Sequence, residues 1–565
     1  MTSRAMAGRR AEATETGRRS RVRYAAGRRC RVGIGLATLL GGLGAADRAS
    51  AAEWWVDANA PAGGTGSQAS PFQTINAARD VMVTGDTVWV SSGTYNETVD
   101  FYILPAGVDA PTTIRAVDGA TPVIVGDGSA EFVLQAGETP KMVFQGLTIN
   151  NGGSGVGIEF YQADDGEVRE CTIQNADAGG IEFYYASRGF VYRSDIAGGV
   201  SGKRSAGTTI QECRVHDSGA EGITLHDDSS DLKYLNNIVY DNYHVNIYID
   251  SAHDVVVDGN LVFWNGTVQS DFSGILLADE AYDDLDHPVL QNIVITNNII
   301  VNADSGIEFW DGEFPGSSGL KNVLIANNTI INSATLGIVW APGQHDSSFV
   351  RNNIFAQQQG VGVLLLNAKS IGGVTLDHNL WFMPGVTEPF NWGGGEVFTH
   401  DGWVTASGQG TGDVLADPAF VGSSWDLDAP SYKLPQTSPA VDTGVSIDGL
   451  TIDFDRGLRP AGNGYDIGAY EYGAVPNPDG GPPEPPDGGP GGSGQGGTGQ
   501  GNSGQGGNGQ GANGQGASAS SDGATDEEGG CGCRTPGSAG AVVGAPALGA
   551  LGVLLLGRAR RRRKA

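Results

Sequence analysis

Between residues 147 and 341 the chain repeats one alternation of apolar and polar positions. LTINNGGSGVGIEFY (147–161) is echoed by CTIQNADAGGIEFYY (171–185), CRVHDSGAEGITLHD (213–227), NIVYDNYHVNIYID (237–250), NIIVNADSGIEFWD (298–311) and NTIINSATLGIVWA (328–341). Each unit has a short β-branched run, a polar turn and a second run in which apolar and polar residues alternate. That period of two is the signature of a strand with one buried face. The isoleucines 158, 181, 223, 247, 275, 307 and 338 mark successive units, spaced 23, 42, 24, 28, 32 and 31 residues apart. The interval of 42 holds two units, the second centred on Val200. Asparagines recur at the turns, at 236/237, 260, 297/298, 327/328 and 352/353. Stacked asparagines form amide ladders and tolerate left-handed turn geometry. A short-strand period without the leucine-rich consensus predicts an all-β solenoid, a right-handed parallel β-helix of about ten to twelve coils at about 4.8 Å per coil. Insertions at 279–287 and 311–319 lengthen two coils and are expected to wall a groove.

In such a solenoid, equivalent positions of adjacent coils become neighbours. The first outward column after each isoleucine reads Glu159, Glu182, Ser201, Thr224, Tyr248, Leu276 and Glu308. The second reads Tyr161, Tyr184, Lys203, His226, Asp250, Ala278 and Trp310. Carboxylates bind sugar hydroxyls and sugar rings stack on aromatics, so this face suits a glycan. Tyr161, Tyr184, Tyr248 and Trp310 are the expected substrate contacts. His226 or Lys203 is the expected base, with Asp250 orienting His226. Asp217, Glu221, Asp227, Asp228 and Asp241 are the oxygen donors that Ca²⁺ would use. Glu159 and Glu182 form the carboxylate pair that hydrolysis of a glycosidic bond requires.

Composition separates the chain into segments. Lys and Arg total 34 against 64 Asp and Glu, a net charge of −30. Residues 52–473 carry 16 of the bases and 54 of the acids. A surface that acidic repels phosphate backbones and excludes nucleic acid as a partner. Residues 1–51 hold 11 arginines, then the apolar run VGIGLATLLGGLGA (32–45) and Ala49-Ser50-Ala51, which reads as a secretory signal peptide. Residues 474–530 are Gly/Pro/Gln-rich repeats, a disordered linker. Residues 531–565 contain Cys531-Gly532-Cys533, one apolar helix-length stretch (539–557) and six basic residues from Arg558 to Lys564. That order is long enough for a membrane anchor with its basic end in the cytoplasm. Inside the 52–473 domain only Cys171 and Cys213 remain, two coils apart, and free buried thiols are expected.

Two resemblances add to this. The segment from Cys531 to Lys564 resembles the MYXO-CTERM sorting signal, which implies processing by a protease at the cysteines and display on the outer cell surface. PFQTINAA (71–78), GDTVWV (85–90) and GTY (93–95) resemble the N-terminal cap of pectate-lyase-like β-helix proteins, with a helix over 71–82 opened by Ser70-Pro71. The cap thus spans 53–95, and 400–473 is the closing region; DFDRGLRPAGNGYDIGAYEY (453–472) resembles a closing motif of exported β-helix proteins. GGVSGKRSAGTTIQECRVHDSGAEGITL (198–225) is similar to the catalytic coils of family 9 pectate lyases, which implies Ca²⁺-assisted β-elimination of a uronate-containing polysaccharide. The chain departs from that pattern: Ala220-Glu221-Gly222 stands at the family's double-aspartate motif, and Asn246-Ile247-Tyr248 occupies the coil where its lysine base belongs. The expectation is an exported, monomeric, surface-anchored β-helix that acts on polysaccharide by elimination or hydrolysis, or binds it as a displayed rod.

Overall fold

A computed structural model describes residues 50–477, apart from 127–130, 152–154, 177–178, 267–271, 281–289, 311–317, 335, 341–342, 357–363, 367–371, 393–396 and 423–428. The expected signal peptide, most of the expected linker and the expected sorting segment therefore lie outside the described residues, as do most of the two insertions.

Three parallel sheets build the molecule. Each coil contributes one strand to each, as in Met142–Gln145, Thr148–Asn150 and Val156–Tyr161. Sheet I and sheet III have 13 strands and sheet II has 12, among the described residues. This is the right-handed parallel β-helix that the isoleucine-marked repeat predicts. Strand register is strict: Ile158, Ile181, Val200, Ile223, Ile247, Ile275, Ile307 and Ile338 lie across from one another in sheet III. All are buried, and Phe101, Phe144, Phe160 and Phe183 stack beside them up the bore. Parallel pairing puts like beside like, so one apolar choice repeated per coil makes a continuous core.

The turn from sheet I to sheet II has two residues, the first left-handed and the second pointing inward. Asn237, Asn260, Asn298, Asn328, Asn353 and Asn379 fill the inward position, and each backbone N–H donates to the next side-chain oxygen at 2.9–3.0 Å. Asp413 ends the ladder by accepting from the Asn379 N–H at 2.9 Å. Three earlier coils place Cys171, Ser194 and Cys213 at this position. Both thiols are free and buried, and burial pushes their pKa up to about 12, so neither is a nucleophile.

The ends differ from expectation in two ways. The first helix spans only Ile75–Arg79, capped by Thr74, whose side chain accepts from the Ala77 N–H. Phe72 is drawn instead into a strand-like bridge with Val56. The segment 453–472 does not close the far end. Helix His400–Ser407 stands there, its Trp403 packed on Phe390 and Trp381. Residues 452–469 instead lie along the flank of the asparagine turns: Asn297 donates to the Ile452 carbonyl, Asn327 to the Asp466 carbonyl, and the Ala469 N–H to Thr329. The fully buried Arg459–Glu471 pair, at 3.0 Å, holds that segment together.

Candidate active-site groove

The two outward columns of sheet III run parallel to the solenoid axis, as the repeat predicts. In the first column Asp100, Gln135, Glu159, Glu182, Ser201, Thr224, Tyr248, Leu276 and Glu308 are register partners in turn. In the second, Gly137, Tyr161, Tyr184, Lys203 and His226 follow one another, and Asp250, Ala278 and Trp310 continue the line. Tyr102 covers Gly137, where any Cβ would strike its ring. Asp100, Gln135, Tyr102 and Tyr185 were not singled out in the sequence, because the coil EFVLQAG (131–137) lacks the Gly-Ile marker. Stepping back 24 residues from Ile158 reaches Leu134, its register partner.

Glu159 and Glu182 sit half-buried on adjacent strands, about 4.8 Å apart along the axis. Burial, reinforced by the charge of Glu159 and opposed by a hydrogen bond from Ser201, pushes the Glu182 pKa up to about 7. Burial also raises Glu159, but the side-chain amide of Gln135 donates to its carboxylate and favours the charged form. Both carboxyls are thus shifted toward the neutral form, Glu182 further than Glu159, whose amide partner opposes the shift. Tyr161 and Tyr184 flank them, rings near-parallel with centroids 6.4 Å apart, and Tyr185 meets Tyr184 edge-on. Rings laddered in register cover part of one another's faces, so these two tyrosines offer a ligand edges and hydroxyls, while Tyr102 and Tyr185 are 41% and 39% exposed.

Two coils further on, at the end of the His226 strand, Asp227 is fully buried and takes Lys203 at 2.8 Å and Arg204 at 3.2 Å. A buried carboxylate requires such cationic partners. The bond to Asp227 raises the Lys203 pKa, so Lys203 is a cation and does not fit the role of base. Burial, aided by Lys203 and opposed by Asp227, pushes the His226 pKa down to about 4, leaving a neutral imidazole at physiological pH. The hydroxyl of Ser251 donates to Asp250, which is buried in the next coil.

The expected calcium donors do not gather. Asp217 lies against the His216 ring nitrogen at 2.8 Å, and Asp241 accepts two hydrogen bonds from Asn265 at 2.7 Å, both as left-handed turn residues. Asp228 faces His253 at 3.5 Å, Asp227 is held by its two cations, and Glu221 stands at a separate turn. Among the described residues no three acidic, His or Cys side chains form a metal-holding group. Ca²⁺ needs six to eight oxygens in one place, so this donor set does not fit it.

Tyr248 and Trp310 also depart from expectation. Tyr248 is 2% exposed and donates to Glu280 at 2.8 Å. Trp310 packs against an apolar cluster of Val245, Tyr248, Leu276 and Ala278 on what would otherwise be the outer face. Tyr248 is thus covered rather than presented to a ligand, and Trp310 is partly covered by its packing on the cluster.

Fold and groove together define a right-handed parallel β-helix with a polar, acidic, tyrosine-lined stripe on one sheet. A family model for right-handed β-helix regions matches residues 197–354. The chain is 23% identical over 295 residues to the pectate lyase PEL9 of Emericella nidulans, covering 47% of this chain and 71% of that protein. Among solved structures it is similar to pectate lyase Pel9A (16% identity, 75% of this chain and 96% of that one, TM-score 0.43). It is also similar to XylC in complex with xylose (10%, 74% and 98%, TM-score 0.45) and to PfbA, a surface adhesin of Streptococcus pneumoniae (14%, 56% and 86%, TM-score 0.41).

Proposed function

We propose that this protein hydrolyses a polysaccharide at Glu159 and Glu182. The observation that carries this reading is geometric: two half-buried carboxyls stand on adjacent strands, Glu182 with its pKa pushed up to about 7 and Glu159 with a side-chain amide donating to it. Glycoside hydrolysis needs two such carboxyls in unequal environments. In the proposed sequence, Glu182 gives its proton to the glycosidic oxygen as the bond to the anomeric carbon breaks. Glu159 attacks that carbon to form a glycosyl ester. Glu182, now charged, takes a proton from water, and the hydroxide displaces Glu159. The Gln135 amide, donating to Glu159, favours its charged form against burial, and the tyrosine hydroxyls and edges position the sugar. The similarity to PEL9 supports a polysaccharide as the substrate class. The leader-like residues 1–51 and the anchor-like residues 531–565 support a place outside the cytoplasm, which protease shaving of intact cells would test.

A second reading, β-elimination of a uronate with neutral His226 as base, is favoured by the same similarity. The test reads both chemistries together. Residues 52–473 are incubated with neutral and uronate-containing polysaccharides, while new reducing ends and unsaturated-product absorbance are recorded. Reducing ends without absorbance, lost by about 100-fold or more in Glu182→Gln, are expected for a proton-transfer residue. Absorbance rising with reducing ends, retained in Glu182→Gln and lost in His226→Ala, would replace hydrolysis by elimination. Because the carboxylates form no calcium cage, chelator is expected to leave the rate unchanged.

A further inference from the structure

The two outward columns change character within a single coil. From Asp100 to His226 the outward side chains are half-buried or exposed, with only Thr224 nearly closed off. In the next coil Tyr248 is 2% exposed and Asp250 4%, and Leu276, Ala278 and Glu308 beyond them are buried too. What covers the first of them is described. The chain leaving strand Ser273–Ala278 turns back over the groove at Glu280. There the Glu280 N–H donates to the Ser251 hydroxyl at 2.9 Å, and that hydroxyl, with its single proton, lies 3.1 Å from both the Glu280 carbonyl and the Asp250 carboxylate. The Glu280 carboxylate accepts from the Tyr248 hydroxyl at 2.8 Å. Two independent hydrogen bonds, from the Glu280 N–H and to its carboxylate, thus hold this residue across the end of the stripe. At the opposite end no such cross-groove residue stands among the described residues: sheet III begins at Val99–Asp100, and Tyr102 beside it is 41% exposed.

We infer that the groove is blind at its Tyr248–Glu280 end, so that the protein takes a glycan by one chain end and removes a short oligosaccharide from it. This rests on the glycan reading above. Only the coils of Ser201 and Thr224 lie between Glu182 and Tyr248, a run of about 10–15 Å at the coil spacing of parallel strands. A segment of about two or three sugars fills that length. The polymer's remainder would extend past Tyr161, Gln135 and Tyr102 over the open end.

The test uses binding as well as turnover. Oligosaccharides of the panel, carrying either a 2-aminobenzamide at the reducing end or an acetal block at the non-reducing end, are titrated onto the Glu182→Gln protein. One modification is expected to weaken binding ten-fold or more and the other less than two-fold. With the unaltered protein, one short product size is expected from the first turnovers, while viscosity stays nearly constant as reducing ends accumulate. In Glu280→Gly, longer products are expected; Glu280→Gln, which keeps the side chain's bulk, is expected to leave product size unchanged. Equal tolerance of both end groups, or a broad ladder of products at the outset, overturns the blind groove. Selective loss with one end group in a protein that releases no reducing ends would overturn hydrolysis and leave the blind groove standing. Binding of none of the oligosaccharides would overturn both.

Discussion

The coils before and after Asn237 share one register, one core and one handedness, yet they are built for different ends. Before it, the inward turn position holds Cys171, Ser194 and Cys213, the outward columns are polar and open, and the perturbed groups Glu159, Glu182 and His226 are found there. After it, an unbroken asparagine ladder runs to Asn379, residues 452–469 lie along its flank, and the outward columns are largely covered, Tyr248, Leu276 and Ala278 forming an apolar cluster beside the buried Asp250 and Glu308. Parallel pairing fixes which residues share a column, but what lies outside the column decides whether it becomes a site or a second core. The half that carries hydrogen-bonded staples on its turns lacks the open polar face, and the half with the open face lacks the staples.

The largest expected effect tests the staples. Asn298 accepts from the backbone and side-chain N–H groups of Asn260, and donates to the Val257 carbonyl and to Asn328. Asn298→Ala leaves several buried groups without partners, at about 1–3 kcal/mol each, so a loss of about 3 kcal/mol or more is expected in urea unfolding. Cys213 occupies the same position one half earlier, and its Sγ only approaches the Gln211 carbonyl at 3.2 Å. Cys213→Ala is expected to cost about 1 kcal/mol, a weak hydrogen bond and a small apolar volume. Equal losses at the two positions would erase the distinction between the halves.

Much of this comparison was legible in the sequence. The isoleucine spacing set the coils and both columns to the residue, including the hidden coil at Val200, because a period of two admits only one inward set once the turns are placed. Asn237, Asn260, Asn298, Asn328 and Asn353 showed the ladder. Cover was not legible. Nothing in the alternation around Tyr248 distinguishes a tyrosine open to a ligand from one under Glu280, because both are outward in the pleat. Charge partners were equally hidden: Lys203 and His226 adjoin in register, but Asp227, a turn residue one position on, decides that the first is a cation. The separation of the expected calcium donors was hidden for a related reason, since left-handed turns in a β-helix favour Asp for local geometry, whether or not a metal is present.

A smaller effect sharpens the open half from within, because its two neighbouring titrating groups carry opposite signs. The folded protein holds the Glu182 proton up to about pH 7, against about 4.5 in an unfolded chain, so stability is lost as pH rises between those values. His226 binds its proton only near pH 4 when folded and near 6.5 when unfolded, so stability is lost as pH falls between those values. Glu182→Gln is expected to raise the melting temperature at pH 8 by a few degrees and leave it little changed at pH 4. His226→Gln is expected to do so at pH 4.5 and not at pH 8. Melting curves across pH 4–9 check both. Parallel shifts in the two variants would mean that neither environment is as the groove geometry describes.

The smallest effect separates cover from core. Tyr248→Phe keeps the buried ring and removes only the hydroxyl that donates to Glu280, a hydrogen bond to a charged acceptor. Such a bond contributes about 1.5–3 kcal/mol when both partners are buried. Glu280 is half-buried and regains water when the hydroxyl is gone, so the expected loss is about 1 kcal/mol or less in urea unfolding. Leu276→Ala, in the same covered column but with no polar partner to rehydrate, is expected to cost about 2–3 kcal/mol. If Tyr248→Phe instead proved as costly as Leu276→Ala, Glu280 would be fixed as deeply as the second core. The wall would then belong to the fold's stability and not only to the shape of the groove.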